Sequence, residues 1–126
     1  MGVLKSVDEA PYDIAGPIRE FWAAGKWDEA ASIAFSESAW NAFALNNSTS
    51  AEHPCGRLLE VRDGVAIYAE FSVGYFQINA CNLPVGWTAA HLYNGRHNAG
   101  TAHDLWIRAG ESWRPWFFSA RELGLL

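Results

Sequence analysis

The chain has 126 residues, 50% of them hydrophobic and 18% charged, with a net charge of -5 at pH 7. That length supports one domain whose core can close without metals or disulfides, and the acidic balance excludes nucleic acid as the primary partner. No run approaches the roughly 18 apolar residues of a membrane span, and the N-terminal MGVLKSVDEAPYD lacks an apolar segment behind basic residues, so no secretory leader is expected either.

In chain order, the pattern predicts an α+β, mainly α fold in a single domain over residues 1–126. Ile14, Ile18, Phe21 and Trp22 recur at helical spacing and predict a helix over 14–24, with Pro17 tolerable only in the first turn and Gly25 as its stop. Asp28 is placed to cap a second helix through Ser36, whose last turn presents Glu37. The polar stretch NNSTSAEHPCG, 46 to 56, reads as an exposed loop. Two β-rich runs flank Asp63-Gly64 and predict a hairpin with strands near 57–62 and 65–71. Thr88 can cap a short helix that Asn94-Gly95 ends. Ala99, Ala102, Trp106 and Ala109 stripe the next helix, which Gly110 stops, and Ser112 is a cap for the last one.

Glu37 is the residue with the clearest chemical meaning. Ala30, Ile33 and Ala34 mark an apolar helical stripe that Glu37 extends by one turn. Burial there and the negative end of the helix dipole both disfavour the carboxylate, so its pKa is expected to rise, as a general acid requires. Other chemistries lack support. His53, His91, His97 and His103 show no metal-ligand spacing, so no metal and no cofactor are expected, and no nucleophile elbow or phosphate loop is present.

Three blocks in order, IAFSES at 33–38, SVGYFQIN at 72–79 and NAGTAHDLWIRAGESWRPW at 98–116, resemble the lysozyme superfamily, nearest to its single-glutamate lytic transglycosylase and goose-type lysozyme branch. The resemblance covers about residues 14–118. It implies a lysozyme-like fold, a helical lobe and a small β-hairpin flanking a sugar-binding cleft. Glu37, Ser38 and Ala39 match the family's acid-bearing helix end; Gly74, Tyr75, Phe76, Gln77, Ile78 and Asn79 match its cleft-lining G-[LIYF]-[FLM]-Q-I-[NP] segment. Asn98, Ala99, Ala102, Gly110, Trp113, Pro115 and Trp116 fit its closing helix and aromatic turn. Tyr75, Gln77, Asn79, Tyr93, Asn98, Trp113 and Trp116 are therefore the candidate sugar contacts. Plainer readings stand beside them: Asn98 as a helix N-cap, which we favour, and Trp113 and Trp116 as core.

The chain departs from the animal-type pattern at one point. Ser72 stands where those lysozymes carry an Asp that acts as nucleophile or electrostatic stabiliser, leaving Glu70, on the same strand face, and Glu60, on the facing strand, as substitute carboxylates. A retaining double displacement, which needs carboxyls about 5 Å apart, is not expected. Hydrolysis by an activated water and anhydro-sugar formation by the substrate's own groups remain open.

The resemblance implies cleavage of the β-1,4 bond between N-acetylmuramic acid and N-acetylglucosamine in bacterial peptidoglycan, with chitin oligosaccharides as a further possible substrate. The second reading is a lysozyme-like module that holds wall glycan, or builds a virion, without turnover. A wall-active chain without a leader suits a phage lysin held in the host cytoplasm until released, or a virion-associated enzyme. Peptidoglycan glycan strands are the expected partner, with no membrane partner, and a monomer is the default. Without a leader, Cys55 and Cys81 are expected as free thiols rather than a disulfide.

Overall fold

The computed structural model describes residues 3–50 and 58–126, except the side chains of residues 48–50 and 70. It is α+β with most ordered residues helical: α1 (Tyr12–Phe21), α2 (Trp27–Ser38), α3 (Gly95–Arg108) and α4 (Phe117–Glu122), with short 3-10 turns between them. Four strands, β1 (Leu45–Ser50), β2 (Leu58–Arg62), β3 (Val65–Val73) and β4 (Ile78–Asn79), form one antiparallel sheet. The long strand β3 is its axis: β1 and β2 pair on either side, and β4 pairs with the end of β3.

The first helix differs from expectation in its bounds and in its proline. It runs Tyr12–Phe21, so Pro17 lies past the first turn. A proline there has no N–H for the Asp13 carbonyl. That carbonyl meets the start of α3 instead, so closely that a Cβ on Gly95 would lie 2.1 Å from it. The helix pair α1–α3 thus closes at a point where one partner carries proline and the other glycine.

Asp28 does not cap α2. The helix starts one residue earlier, at Trp27, and the Asp28 carboxylate accepts the Val7 N–H at 2.9 Å, tying down the N-terminal segment. At the other end Ala39 adopts φ 51°, a left-handed cap. The loop expected over 46–56 is a strand as far as Ser50, and the rest lies outside the described residues. Asp63 and Gly64 both have positive φ, 51° and 79°, which is the turn the hairpin needs. Thr88 caps a 3-10 turn, Ala89–Tyr93, through a capping box with His91. Asn94 accepts the His97 N–H as the N-cap of α3, so Asn98 is an interior helical residue and not the cap. Ser112 takes the Arg114 N–H in the turn before α4.

The core lies where α1, α2 and α3 meet the end of the sheet. Ile14, Ile18, Ile33, Phe76, Ile78 and Leu92 are fully enclosed, and Trp22, Trp106, Trp113 and Trp116 pack on one another beside them. The expected free thiols are not found. Cys81 is disulfide-bonded, and the chain's other cysteine, Cys55, lies outside the described residues.

Candidate active site

The last turn of α2 brings Glu37 out from under the buried stretch Ala30–Ala34 and leaves it half-buried. Loss of solvation holds its carboxyl above the ordinary carboxylate range, and a hydrogen bond from Ser119 opposes that shift. The Ser119 hydroxyl donates to Glu37 Oε2 and itself accepts from Ser36 Oγ at 2.8 Å. The last turn of α2 and the middle of α4 are linked by these bonds. Among the described residues, Oε1 of Glu37 has no hydrogen-bond partner.

The second wall of the site is the turn between β3 and β4. Ser38, the residue after Glu37, donates to the Tyr75 carbonyl at 2.8 Å and so clamps this turn to the end of α2. Trp116 Nε1 donates to the Phe76 carbonyl at 2.8 Å from the opposite side. Buried Asn98 completes the frame: its Oδ1 accepts the Phe76 N–H, and its Nδ2 donates to the Val73 and Leu92 carbonyls. Gly74, at φ 78°, is pressed against this amide, with room for no Cβ.

Backbone strain concentrates here. Ala39, Trp40 and Gln77 all hold positive φ without being glycine, a state that costs about 1 kcal/mol or more each and persists where surrounding contacts enforce it. Those contacts are visible. Trp40 Nε1 returns to the Ala31 carbonyl at 3.0 Å, and Gln77 Nε2 donates to the Ala44 and Gly74 carbonyls at 3.1 Å.

The expected sugar contacts fall into two groups. Tyr75 is buried and donates its hydroxyl to Asp13 at 2.8 Å; burial and that carboxylate push its pKa up. Asn98, Trp113 and Trp116 are likewise enclosed, with Trp113 Nε1 donating to Glu29 at 2.9 Å. These four build the frame. Gln77, Asn79 and Tyr93 remain half-buried at the surface of the turn. Gln77 spends its amide on backbone and accepts from Asn46. Asn79 caps the turn that follows it, through the Cys81 N–H. The Tyr93 ring lies 5.5 Å from that of Phe43, tilted by 49°, and Phe43 is 72% exposed and precedes Ala44, whose carbonyl Gln77 holds.

Of the candidate second groups, Ser72 sits mid-sheet, half-buried, between Asn46 of β1 and Asn79 of β4. Glu60 is exposed and paired with Arg62. Glu70 lies on β3 opposite Ser48, and its side chain is outside the description. Sequence reasoning missed Ser119, Trp40 and Phe43. A serine in the stretch FFSARE has no chemical signature, whereas an aromatic immediately after the acid-bearing helix was a usable signal.

A cavity of about 650 Å³ lies elsewhere, between Phe21, the segment 81–87 and the outer face of α3. Its rings are already covered, Phe21 by Arg96 and Trp87 by His91 and His97, and its arginines are paired with Glu20 and Asp104. It offers neither a free aromatic face nor a proton donor set like that at Glu37. Among the described residues no group of His, Cys, Asp and Glu is placed to hold a metal ion.

The role of Ser119 is directly testable. Ser119→Ala removes the bond that favours the charged carboxylate, so Glu37 is expected to titrate at still higher pH in a carboxyl NMR titration. An unchanged or lower midpoint would contradict the hydrogen bond. Comparisons with protein-family models, with curated proteins and with solved structures gave no match.

Proposed function

We propose that this protein has a lysozyme-like fold and cleaves the β-1,4 bond between N-acetylmuramic acid and N-acetylglucosamine in peptidoglycan, with Glu37 as general acid. The observation that carries the reading is the setting of Glu37: a desolvated carboxyl at the end of an apolar helix, with one oxygen engaged by Ser119 and the other without a described partner. Because Ser119 donates to Oε2, the acid proton resides on Oε1, where it can pass to the glycosidic oxygen as the C–O bond breaks. The clamped turn 74–79 then acts as the floor under the sugars. Asn79, Tyr93 and the exposed ring of Phe43 are the groups best placed to touch them, while Tyr75, Asn98, Trp113 and Trp116 hold the floor in position.

Ser72 carries no carboxylate and Glu60 is paired with Arg62, while the side chain of Glu70 lies outside the described residues. In this reading the oxocarbenium-like state is resolved by a water or by the substrate's own N-acetyl and C6 hydroxyl groups. The disulfide at Cys81 supports a working place outside the reducing cytoplasm, as expected for a phage-encoded or virion-borne wall enzyme.

Mass spectrometry of soluble fragments from purified peptidoglycan tests the proposal. Reducing muramic acid ends identify a muramidase, and 1,6-anhydro ends, lighter by a water, identify a lytic transglycosylase. Binding to the wall without release of either fragment would overturn the enzymatic reading in favour of a glycan-holding module.

A further inference from the structure

The hairpin β2–β3 carries an apolar surface that the candidate site does not use. Every residue of β2 is exposed, and Leu58, Leu59, Val61 and Val65 leave 52%, 44%, 63% and 49% of their surface uncovered. In the sheet β2 is an edge, and β3 is its only partner among the described strands. An apolar edge strand presents unpaired backbone groups together with surface that gains by leaving water, so it is a template for another strand. We propose that β2 pairs with β2 of a second copy of this chain, antiparallel and centred on Val61, joining the two sheets across a two-fold axis.

The order of charges along the strand selects this partner and this register. A two-fold axis at Val61 sets the residue before it opposite the residue after it in the other copy. Glu60 then faces Arg62 of the second copy, and Arg62 faces its Glu60. Within one chain Glu60 and Arg62 already form an ion pair along the strand, so both leave the same side of it. The dimer closes these four charges into a ring. Parallel in-register pairing would set carboxylate against carboxylate and guanidinium against guanidinium, and centring the axis on Glu60 would set the two Glu60 side chains face to face. On the other side of the strand Val61 meets Val61 of the second copy, with Leu59 on the diagonal.

The pairing of β2 with β3 is irregular between Leu58 and Glu60, so the regular part of the edge is Glu60–Arg62. An interface of that length gives a dimer that depends on concentration, in place of the monomer expected from sequence. The inference is independent of the proposed reaction, since Glu37 takes no part in it.

Sedimentation velocity at low salt, over roughly a hundredfold range of concentration, reads the association directly. The wild-type chain is expected to move from monomer toward dimer across that range. Glu60→Arg alone or Arg62→Glu alone places like charges opposite each other and is expected to leave monomer throughout. The double variant Glu60→Arg/Arg62→Glu restores opposite charges in the antiparallel register and is expected to recover the dimer. Thermal melts by circular dichroism check that each variant is folded; should a single reversal unfold, Val61→Lys, which sets two ammonium groups at the axis, replaces it with the same expectation. A wild-type chain that stays monomeric over the whole range, or a dimer that single reversals leave unchanged, would overturn the proposal.

Discussion

Glu37→Gln is expected to lower the rate of peptidoglycan cleavage by about 10²–10⁴-fold, the usual contribution of a positioned general acid, while leaving wall binding and the fold intact. Gln keeps the shape and still accepts from Ser119, but has no proton to give to a glycosidic oxygen. The same variant has a stability consequence of opposite sense. Burial raises the pKa of Glu37, so the folded state holds the proton more tightly than the unfolded one. The stability tied to that proton is fully present below the unfolded pKa and is lost as pH rises through the folded value. Once pH has risen past the folded pKa, the wild-type chain carries a partly desolvated charge that Gln does not. The variant is expected to melt no lower than wild type above that pKa, with the difference shrinking on acidification. A cleavage rate within a factor of about three of wild type would remove Glu37 from the chemistry. A variant that melts well below wild type at neutral pH would mean that the carboxylate is a structural anchor, contrary to its desolvated setting.

The pH dependence of cleavage follows from the same group. A general acid acts only while protonated, so activity is expected to fall as pH rises through the Glu37 pKa. Ser119→Ala, by raising that pKa, should carry the falling limb to higher pH.

Much of this arrangement was legible in the residues. Asp63-Gly64 announced the hairpin because few residue pairs accept positive φ twice in succession. The stripe Ala99, Ala102 and Trp106 announced α3 because three buried residues at helical spacing leave little else possible. Glu37 was legible for the same reason, as a carboxyl on the stripe of Ile33 and Ala34. What escaped was tertiary. Strand β1 reads LNNSTS, with no alternation to mark it, and is a strand because six of its residues find partners on β3. Ser119 reaches Glu37 across 82 residues of chain. Asn98 invited a choice between cap and cleft, and the fold uses it as neither: a buried amide spends a donor or acceptor on each of three backbone groups, the Phe76 N–H and the Val73 and Leu92 carbonyls. Cys81 was misread because a cysteine's pairing is set by the distance and direction of another thiol in the fold, which its sequence neighbours do not mark.

That buried amide is the part of the frame whose loss is expected to cost most. Asn98→Ala takes one hydrogen bond each from the Phe76 N–H and the Val73 and Leu92 carbonyls in a site with no exposed surface. At about 1 kcal/mol for each lost hydrogen bond, with a further cost of about 1–3 kcal/mol wherever a group is left with no other partner, the expected destabilisation is about 3–4 kcal/mol. That would appear as a lower denaturant midpoint with an unchanged slope. Asn98→Asp sharpens the test, because it keeps the size and the acceptor for Phe76 but turns two donors into an oxygen facing two carbonyls. It is expected to be no better than Ala at neutral pH and to recover on acidification, once the carboxyl can donate again. Gly74→Ala attacks the same joint from the other side: its Cβ would lie 2.3 Å from Asn98 Nδ2 and 2.5 Å from the Leu92 carbonyl, on a backbone at φ 78°. All three variants should release the turn 74–79 from α2 and α3, so cleavage should fail in them together with stability, whereas in Glu37→Gln it fails alone. If Asn98→Ala stayed within about 1 kcal/mol of wild type, the frame would have to be held by Ser38 and Trp116 instead, and the amide would be free to serve substrate.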